Sequence, residues 1–285
     1  MTETNLAGAP TITVAVPLHA SARWVDNVEQ NIRALPAMVT EIIVSDRTCV
    51  DDAAEHLRKR LADDPRVRVV AEPTGLEWEE HYQLLLEQAT GELFMWMPHD
   101  DIFESSWIPT LAKELETHPR AWLAFGRLIP VLEDGASPHP TNQPLLAGGT
   151  REYVGRDAAR LTFRGDVWIA FRGLFRRREV LESGIRLERS QRLPVSDIYW
   201  VLRVALESSL VFSAETATTK RFYSDSTSSR WEDPTRGAGH RETLAVLRAY
   251  GPRGPQGFAM RTAWARTRRP QVWTCQSVDS PARSL

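Results

Sequence analysis

Cysteine is nearly absent, with two residues in 285, Cys49 and Cys275, far apart and without metal-ligand spacing. That scarcity excludes a disulfide framework and a structural zinc site built mainly on thiolates, and it suits a reducing compartment. No apolar stretch approaches the roughly 20 residues needed to cross a bilayer. The opening MTETNLAGAPTITVAV carries an acid and no basic cluster ahead of its apolar run, so it does not read as a secretory signal. A cytoplasmic location is the expectation. Glycine is missing where a dinucleotide fold would need it. The segment after the first apolar run reads VPLHASARW, with nothing to let backbone approach a pyrophosphate, and no P-loop occurs elsewhere. A nicotinamide dehydrogenase is thereby disfavoured. So is a sugar nucleotidyltransferase, which needs a glycine-rich basic loop near its first strand.

What is present is ordinary for a soluble globular chain, with 42% hydrophobic and 25% charged residues, in a length that suits one large α/β domain or a domain with an appendage. The charge is unevenly spread. From Arg236 to Leu285 nine arginines face only Glu242 and Asp279, so a segment of +7 follows a body of −9 within a net charge of −2. Such a segment is a candidate for peripheral contact with an anionic membrane face, or for folding back on the acidic body; a solvated end is the plainer alternative. GPRGPQG at 251–257 marks a break inside it.

Strand and helix signals alternate through the first half. TITVAVPL (11–18), EIIVSD (41–46), VRVVAE (67–72), GELFMWM (91–97) and AWLAFG (121–126) read as short buried strands. Between them, Trp24, Val25, Val28, Ile32 and Leu35 share one helical face, Leu57 and Leu61 a second, and Trp78, Tyr82, Leu85 and Ala89 a third, with SWIPTLAKELETH as a further helix. This order predicts an α/β fold with a mainly parallel central sheet flanked by helices, in which ligands collect at the carboxyl ends of the strands. A Pro- and Gly-rich loop at 132–150 is a candidate lid or crossover. After it come a helix around 156–163, the stretch DVWIAFRGLFRRREVL, and a helix beginning near Ser196 or Asp197.

Asp46 stands at one predicted strand end and the adjacent Asp100 and Asp101 at another, in MWMPHDDIF. Adjacent carboxylates near a core repel and lose hydration, so a positive charge is expected beside them. A hard divalent cation carrying a diphosphate suits two carboxylate ligands. The bland readings are a turn for Asp46 and helix starts for the pair and for Asp197.

TVAVPLHASARWVDNVEQNIRAL, EIIVSDRTCVDDA, VRVVAEP and GELFMWMPHDDIF resemble, in order and spacing, the family 2 glycosyltransferases of the GT-A fold, and FRGLFRRREVL and KRFYSDSTS extend the resemblance over roughly residues 11–230. It implies a disordered 1–10, a catalytic domain over 11–230, with a nucleotide-sugar half (11–130) and an acceptor half (151–230), and a basic extension over 231–285. It implies an inverting transfer by single displacement from a nucleotide-diphosphate sugar to a hydroxyl on a glycan, lipid-linked sugar or metabolite, with Mn²⁺ or Mg²⁺ and no nucleic-acid partner. Pro17 and Asp46 would meet the base, Asp100 the ribose or the metal, Asp101 the metal, and Asp197 would take the acceptor proton. His99 makes an H-D-D variant of the family's metal motif, with Pro98 where an acid is usual. Arg172 and Arg176 are candidates for phosphate or acceptor contacts, and Trp168 and Trp200 for stacking on a sugar ring. Tyr223 and Ser226 to Ser229 are candidates for a loop closing over the donor. A non-catalytic relative that binds a nucleotide sugar or scaffolds a partner is the alternative.

Overall fold

The computed structural model describes residues 10–72, 75–132, 149–155, 168–189 and 196–223, with isolated positions between and after them. The loop at 132–150, the helix expected around 156–163, the segment Ser226 to Ser229 and the basic extension 231–285 lie almost wholly outside the described residues, and so does the N-terminus up to residue 9.

The first half builds four parallel strands. β1 (Ile12–Leu18) is followed by a 3₁₀ turn (Ala22–Trp24) and α1 (Val25–Arg33), then β2 (Val39–Asp46), α2 (Ala53–Arg60), β3 (Val67–Ala71), α3 (Trp78–Gln88) and β4 (Leu93–Trp96). They pair in the order β3-β2-β1-β4, every pair parallel. All seven residues of β1 are buried, which is why it reads as a solid apolar run and takes a central place covered on both faces. In α1 the spacing of Val25, Val28 and Ile32 brings them to one buried stripe. At the start of α3 the Glu80 carboxylate accepts the Glu77 N–H at 3.0 Å, so the helix begins where the sequence places it.

The second half is mixed. β5 (Ile102–Phe103), α4 (Trp107–Thr117), β6 (Ala121–Leu132), β7 (Arg151–Val154), a 3₁₀ turn (Trp168–Arg172), β8 (Leu174–Arg176), α5 (Arg177–Glu182), α6 (Ser196–Glu207) and β9 (Ser209–Phe222) follow in chain order. β8 runs antiparallel between β4 and β6, β9 is parallel to β6, and β5 and β7 pair antiparallel with β9. The expectation of a mainly parallel sheet holds for β1 to β4, β6 and β9. β8 is too short to carry a period in the sequence, and it enters the sheet from the opposite direction. β6 also runs beyond the expected 121–126, through Gly126, where the Thr216 carbonyl and the Trp107 ring leave no room for a side chain.

Two apolar layers sandwich the sheet. Phe94 and Trp96 of β4 join Phe125, Phe171, Phe175, Trp200 and Phe212 on one side. Met95 joins Ile12, Val14, Val16, Ile32, Leu57 and Trp107 on the other, the period-two alternation of a strand buried on both faces. Among the described residues no helix is long and apolar enough to cross a membrane.

Gly173 sits between the 3₁₀ turn and β8, where an added Cβ would stand 2.3 Å from the Ala124 carbonyl oxygen and 2.9 Å from that of Ala170. Both neighbours are backbone and cannot swing away. Gly173→Ala is therefore expected to cost about 1–3 kcal/mol of stability, read by urea denaturation. An unchanged midpoint would show that β6 and β8 approach less closely than described.

Candidate active site

β1, β2 and β4 deliver their carboxyl ends to one rim, with Leu18 in register with Asp46 and Pro17 with Ser45. The Asp46 side chain is 1% exposed. Its Oδ1 accepts the N–H groups of Thr48 and Cys49, each at 2.9 Å, and the Thr48 hydroxyl at 3.0 Å. This turn holds Cys49 at φ 47°. Oδ2 is buried and has no hydrogen-bond partner among the described residues. Beside it Ser45 Oγ and His81 Nε2 lie 2.8 Å apart. Burial, aided by Arg47 and opposed by Asp46, lowers the His81 pKa to about 4, so the ring is neutral.

The loop after β4 is held from α1. Asn27 donates to the carbonyls of His99 (2.8 Å) and Asp101 (2.9 Å), and Asn31 to that of Asp101 (2.9 Å). His99 Nδ1 is taken up by Ser21 Oγ at 3.1 Å and the Pro17 carbonyl at 3.4 Å, which ties the loop to the end of β1. The two aspartates then part company. Asp101 has no exposed surface, and its Oδ2 accepts from Arg172 Nε in a buried ion pair. Asp100 is half-buried. The Tyr223 hydroxyl donates to its Oδ2 at 3.0 Å, and Arg221 donates to its carbonyl at 3.2 Å and to Asn27 Oδ1 at 2.9 Å. Burial alone would raise the Asp100 pKa, but the charges of Lys220, His99 and Arg172 and the Tyr223 hydrogen bond hold it below the ordinary carboxylate range.

Asp197, in the first turn of α6, lies in the field of the same guanidinium, from the other half of the chain. Its Oδ1 accepts the Ile198 N–H at 2.8 Å. Burial pushes its carboxyl above the usual range, with Arg172 pulling the other way. Arg172 stays charged despite its own burial because Asp101, Asp100 and Asp197 all act on it. The positive charge that the adjacent aspartates call for is therefore supplied by the chain itself.

Several expected roles change. Arg172 is committed to Asp101 and is not an open phosphate contact. Arg176 donates to the carbonyls of Ala121 (3.0 Å) and Leu115 (2.7 Å), which joins the end of α4 to β6. Arg177 donates to the Gly91 carbonyl at 2.8 Å, and Arg178 pairs with Glu182 on the surface. Trp200 is 1% exposed and packed among Trp96, Phe171 and Phe175, so no sugar ring can stack on it. Trp168 lies in the 3₁₀ turn, and its side chain falls outside the described residues. Asp101, expected on the metal, has Oδ2 committed to the buried Arg172 guanidinium, which leaves Asp100, expected on the ribose or the metal, as the more exposed of the two carboxylates. Sequence reasoning missed Asn27 and Asn31, although two amides four residues apart near an apolar stripe are a signal that they bond to something.

Among the described residues no three His, Cys, Asp or Glu side chains form a metal cage. A cation carried in on a diphosphate needs less. Among the described residues Asp101 Oδ1 is a buried acceptor with no partner, and the Asp100 side chain is engaged only at Oδ2, by Tyr223. These carboxylate oxygens fit a hard cation whose remaining ligands are phosphate oxygens.

Residues 13–183 match glycosyl transferase family 2. A Sinorhizobium fredii protein described as uncharacterized protein y4gI is 26% identical over 134 residues, and the match spans 46% of this chain and only 15% of that protein. Residues 1–349 of Staphylococcus aureus TarS superpose with a TM-score of 0.70 at 13% identity, covering 90% of this chain and 70% of that one. The same protein in complex with UDP-GlcNAc gives 0.72 at 12% identity, covering 90% and 71%. The Pyrobaculum calidifontis mannosyltransferase PcManGT, in complex with GDP-Man and Mn²⁺, gives 0.58 at 14% identity, covering 90% and 69%. These likenesses establish the GT-A architecture.

Removing one partner of a buried ion pair strands the other. Arg172→Met is expected to destabilise by roughly 3–5 kcal/mol, and adding Asp101→Asn to it should restore most of that loss. Urea unfolding of the two single variants and the double variant checks this. Additive losses would show that the two side chains are not coupled.

Proposed function

The chain belongs to glycosyl transferase family 2, and from that premise we propose that it transfers a sugar from a uridine-diphosphate donor to an acceptor hydroxyl, with inversion and with a divalent cation. The observation that carries this reading is the buried Asp101–Arg172 ion pair at the carboxyl rim of the sheet, whose guanidinium acts electrostatically on both Asp100 and Asp197. The choice of uracil is supported by the UDP-GlcNAc and UDP complexes of TarS and by the buried Oδ2 of Asp46, which has no partner among the described residues and can accept a base N–H.

In this reading Asp46 orients the base beside Pro17 and the neutral Ser45–His81 pair. Asp100, with the Asp101 oxygen that Arg172 does not engage, would hold Mn²⁺ or Mg²⁺ carried in on the diphosphate. A bound divalent cation supplies Lewis-acid stabilisation of the charge that develops on the leaving diphosphate. Asp197 accepts the acceptor proton as the new C–O bond forms and the sugar–phosphate bond breaks on the opposite face. The carboxylate held low stays anionic for the cation, and the carboxylate pushed up is the better base. The acceptor class is a glycan, a lipid-linked sugar or a metabolite, and the basic extension is a proposed contact for an anionic membrane.

Thermal shifts with UDP, GDP, TDP and CDP, with and without Mn²⁺, test the donor class. UDP with Mn²⁺ near 100 times its dissociation constant should add about 2.7 kcal/mol, and Asp46→Asn should remove the preference for UDP. No shift with any of the four would overturn the reading, and binding without turnover would favour a non-catalytic relative. Asp197 gives the pH test. Its folded pKa lies above its unfolded value, so stability is lost as pH rises towards the folded value, while the active ionised form appears over the same range. Asp197→Asn is expected to lose transfer by about 10²-fold or more and to melt higher than the wild type at neutral pH. Initial rates and melting curves followed upward from about pH 4, the unperturbed carboxylate range, read both effects, and a variant that keeps its activity would exclude Asp197 as the base.

A further inference from the structure

Tyr82, on α3, packs against the aromatic cluster beneath the site. Its ring stacks on Phe171 (centroids 5.8 Å apart, planes at 23°), meets Trp78 edge-on (5.4 Å, 89°) and packs against Trp96 at 5.9 Å. Its carbonyl accepts the Trp96 indole N–H at 3.0 Å. Phe171 immediately precedes Arg172, and Trp96 leads into the loop that carries Asp100 and Asp101. Trp200, one turn along α6 from Asp197, packs on both Phe171 (5.7 Å) and Trp96 (5.1 Å). The phenol is therefore braced by the segments that carry the three aspartates, with little freedom left to its ring.

The Tyr82 hydroxyl lies in the field of Asp100, Arg172, Asp101 and Asp197, and burial with the Asp100 charge raises its pKa far above the ordinary phenol value. It is thus an O–H donor at every working pH. Yet it donates to none of the carboxylates around it: its hydroxyl has no hydrogen bond to any described residue. The side chain also keeps some surface in solvent. A donor whose ring is fixed by Phe171, Trp78 and Trp96, in the field of three carboxylates and bonded to none of them, is matched to a ligand oxygen that arrives from outside.

Its position selects that ligand. In the transferase reading, on which this inference rests, Asp100 faces the diphosphate and Asp197 the attacking hydroxyl. What must lie between them is the sugar whose anomeric carbon passes from one to the other. We infer that Tyr82 binds the transferred sugar, its hydroxyl donating a hydrogen bond to one of that sugar's oxygens. The aromatic packing of the ring makes it a fixed gauge for the sugar's position.

Tyr82→Phe keeps the ring and its packing and deletes only the donor. With Mn²⁺ present, calorimetric titration of wild type and variant with UDP and with UDP-GlcNAc separates the cases. The affinity for UDP and the melting temperature should be unchanged. The affinity for UDP-GlcNAc should fall by about five- to tenfold, the scale of one lost hydrogen bond, and the rate of donor hydrolysis should fall with it. Equal UDP-GlcNAc affinity and hydrolysis in the two proteins would overturn the assignment of Tyr82 while leaving the transferase reading intact. Loss of UDP binding along with UDP-GlcNAc binding would also overturn it, since the side chain would then serve the fold or the nucleotide. Wild-type protein that binds neither ligand would sink the donor reading itself, and Tyr82 with it.

Discussion

The buried contact between Asp101 and Arg172 is the constraint on which the rest of the site depends. It joins the loop after β4 to the 3₁₀ turn before β8, two segments that meet only because β8 is inserted between β4 and β6. An ion pair taken out of water returns little or nothing in net stability. Its value lies in placement: the guanidinium becomes a fixed charge under the rim. Asn27 and Asn31 clamp the same loop through its carbonyls. Gly173, the next residue after Arg172, is small because β6 backbone passes directly over it.

From that fixed charge follows an asymmetry between the two remaining aspartates. Burial works against both, and Arg172 and Lys220 favour the charged form of both, yet Asp100 also has His99 and the Tyr223 hydrogen bond and ends below its ordinary range. Asp197 lacks those two partners, and burial leaves it above. Neighbouring carboxyls with opposed shifts suit opposed tasks, one permanently anionic and one able to take up a proton. Each comes from a different half of the chain, which is the arrangement expected when a donor and an acceptor must be brought together on one rim.

Much of this was legible in the sequence, and the limits of legibility have physical causes. The solid apolar runs of β1, β2 and β4 announce central parallel strands, and the acids at the ends of β2 and β4 announce a rim, because few other places tolerate a carboxylate beside a core. Arg172 was visible only as one of four arginines in RGLFRRR; nothing local distinguishes the one that is buried from Arg178, which is exposed. Their fates are set by the antiparallel insertion of β8, a strand too short to show a period. Trp200 misled for a related reason. A tryptophan on a helix start is equally apt as platform or core until the partners Trp96, Phe171 and Phe175 are known. The placement of Tyr82 among the aspartates likewise depends on contacts distant in sequence, although its helical stripe was readable.

If Asp101 serves chiefly Arg172 and Asp100 chiefly the cation, the Mn²⁺ dependence of UDP affinity in Asp100→Asn and Asp101→Asn separates the two roles. Asp100→Asn is expected to lose the gain in UDP affinity that Mn²⁺ brings. Asp101→Asn is expected to keep part of that gain and to be the more destabilised of the two, since it strands a buried guanidinium. An Asp101→Asn protein as stable as the wild type, with its response to Mn²⁺ abolished while Asp100→Asn retains it, would contradict this assignment.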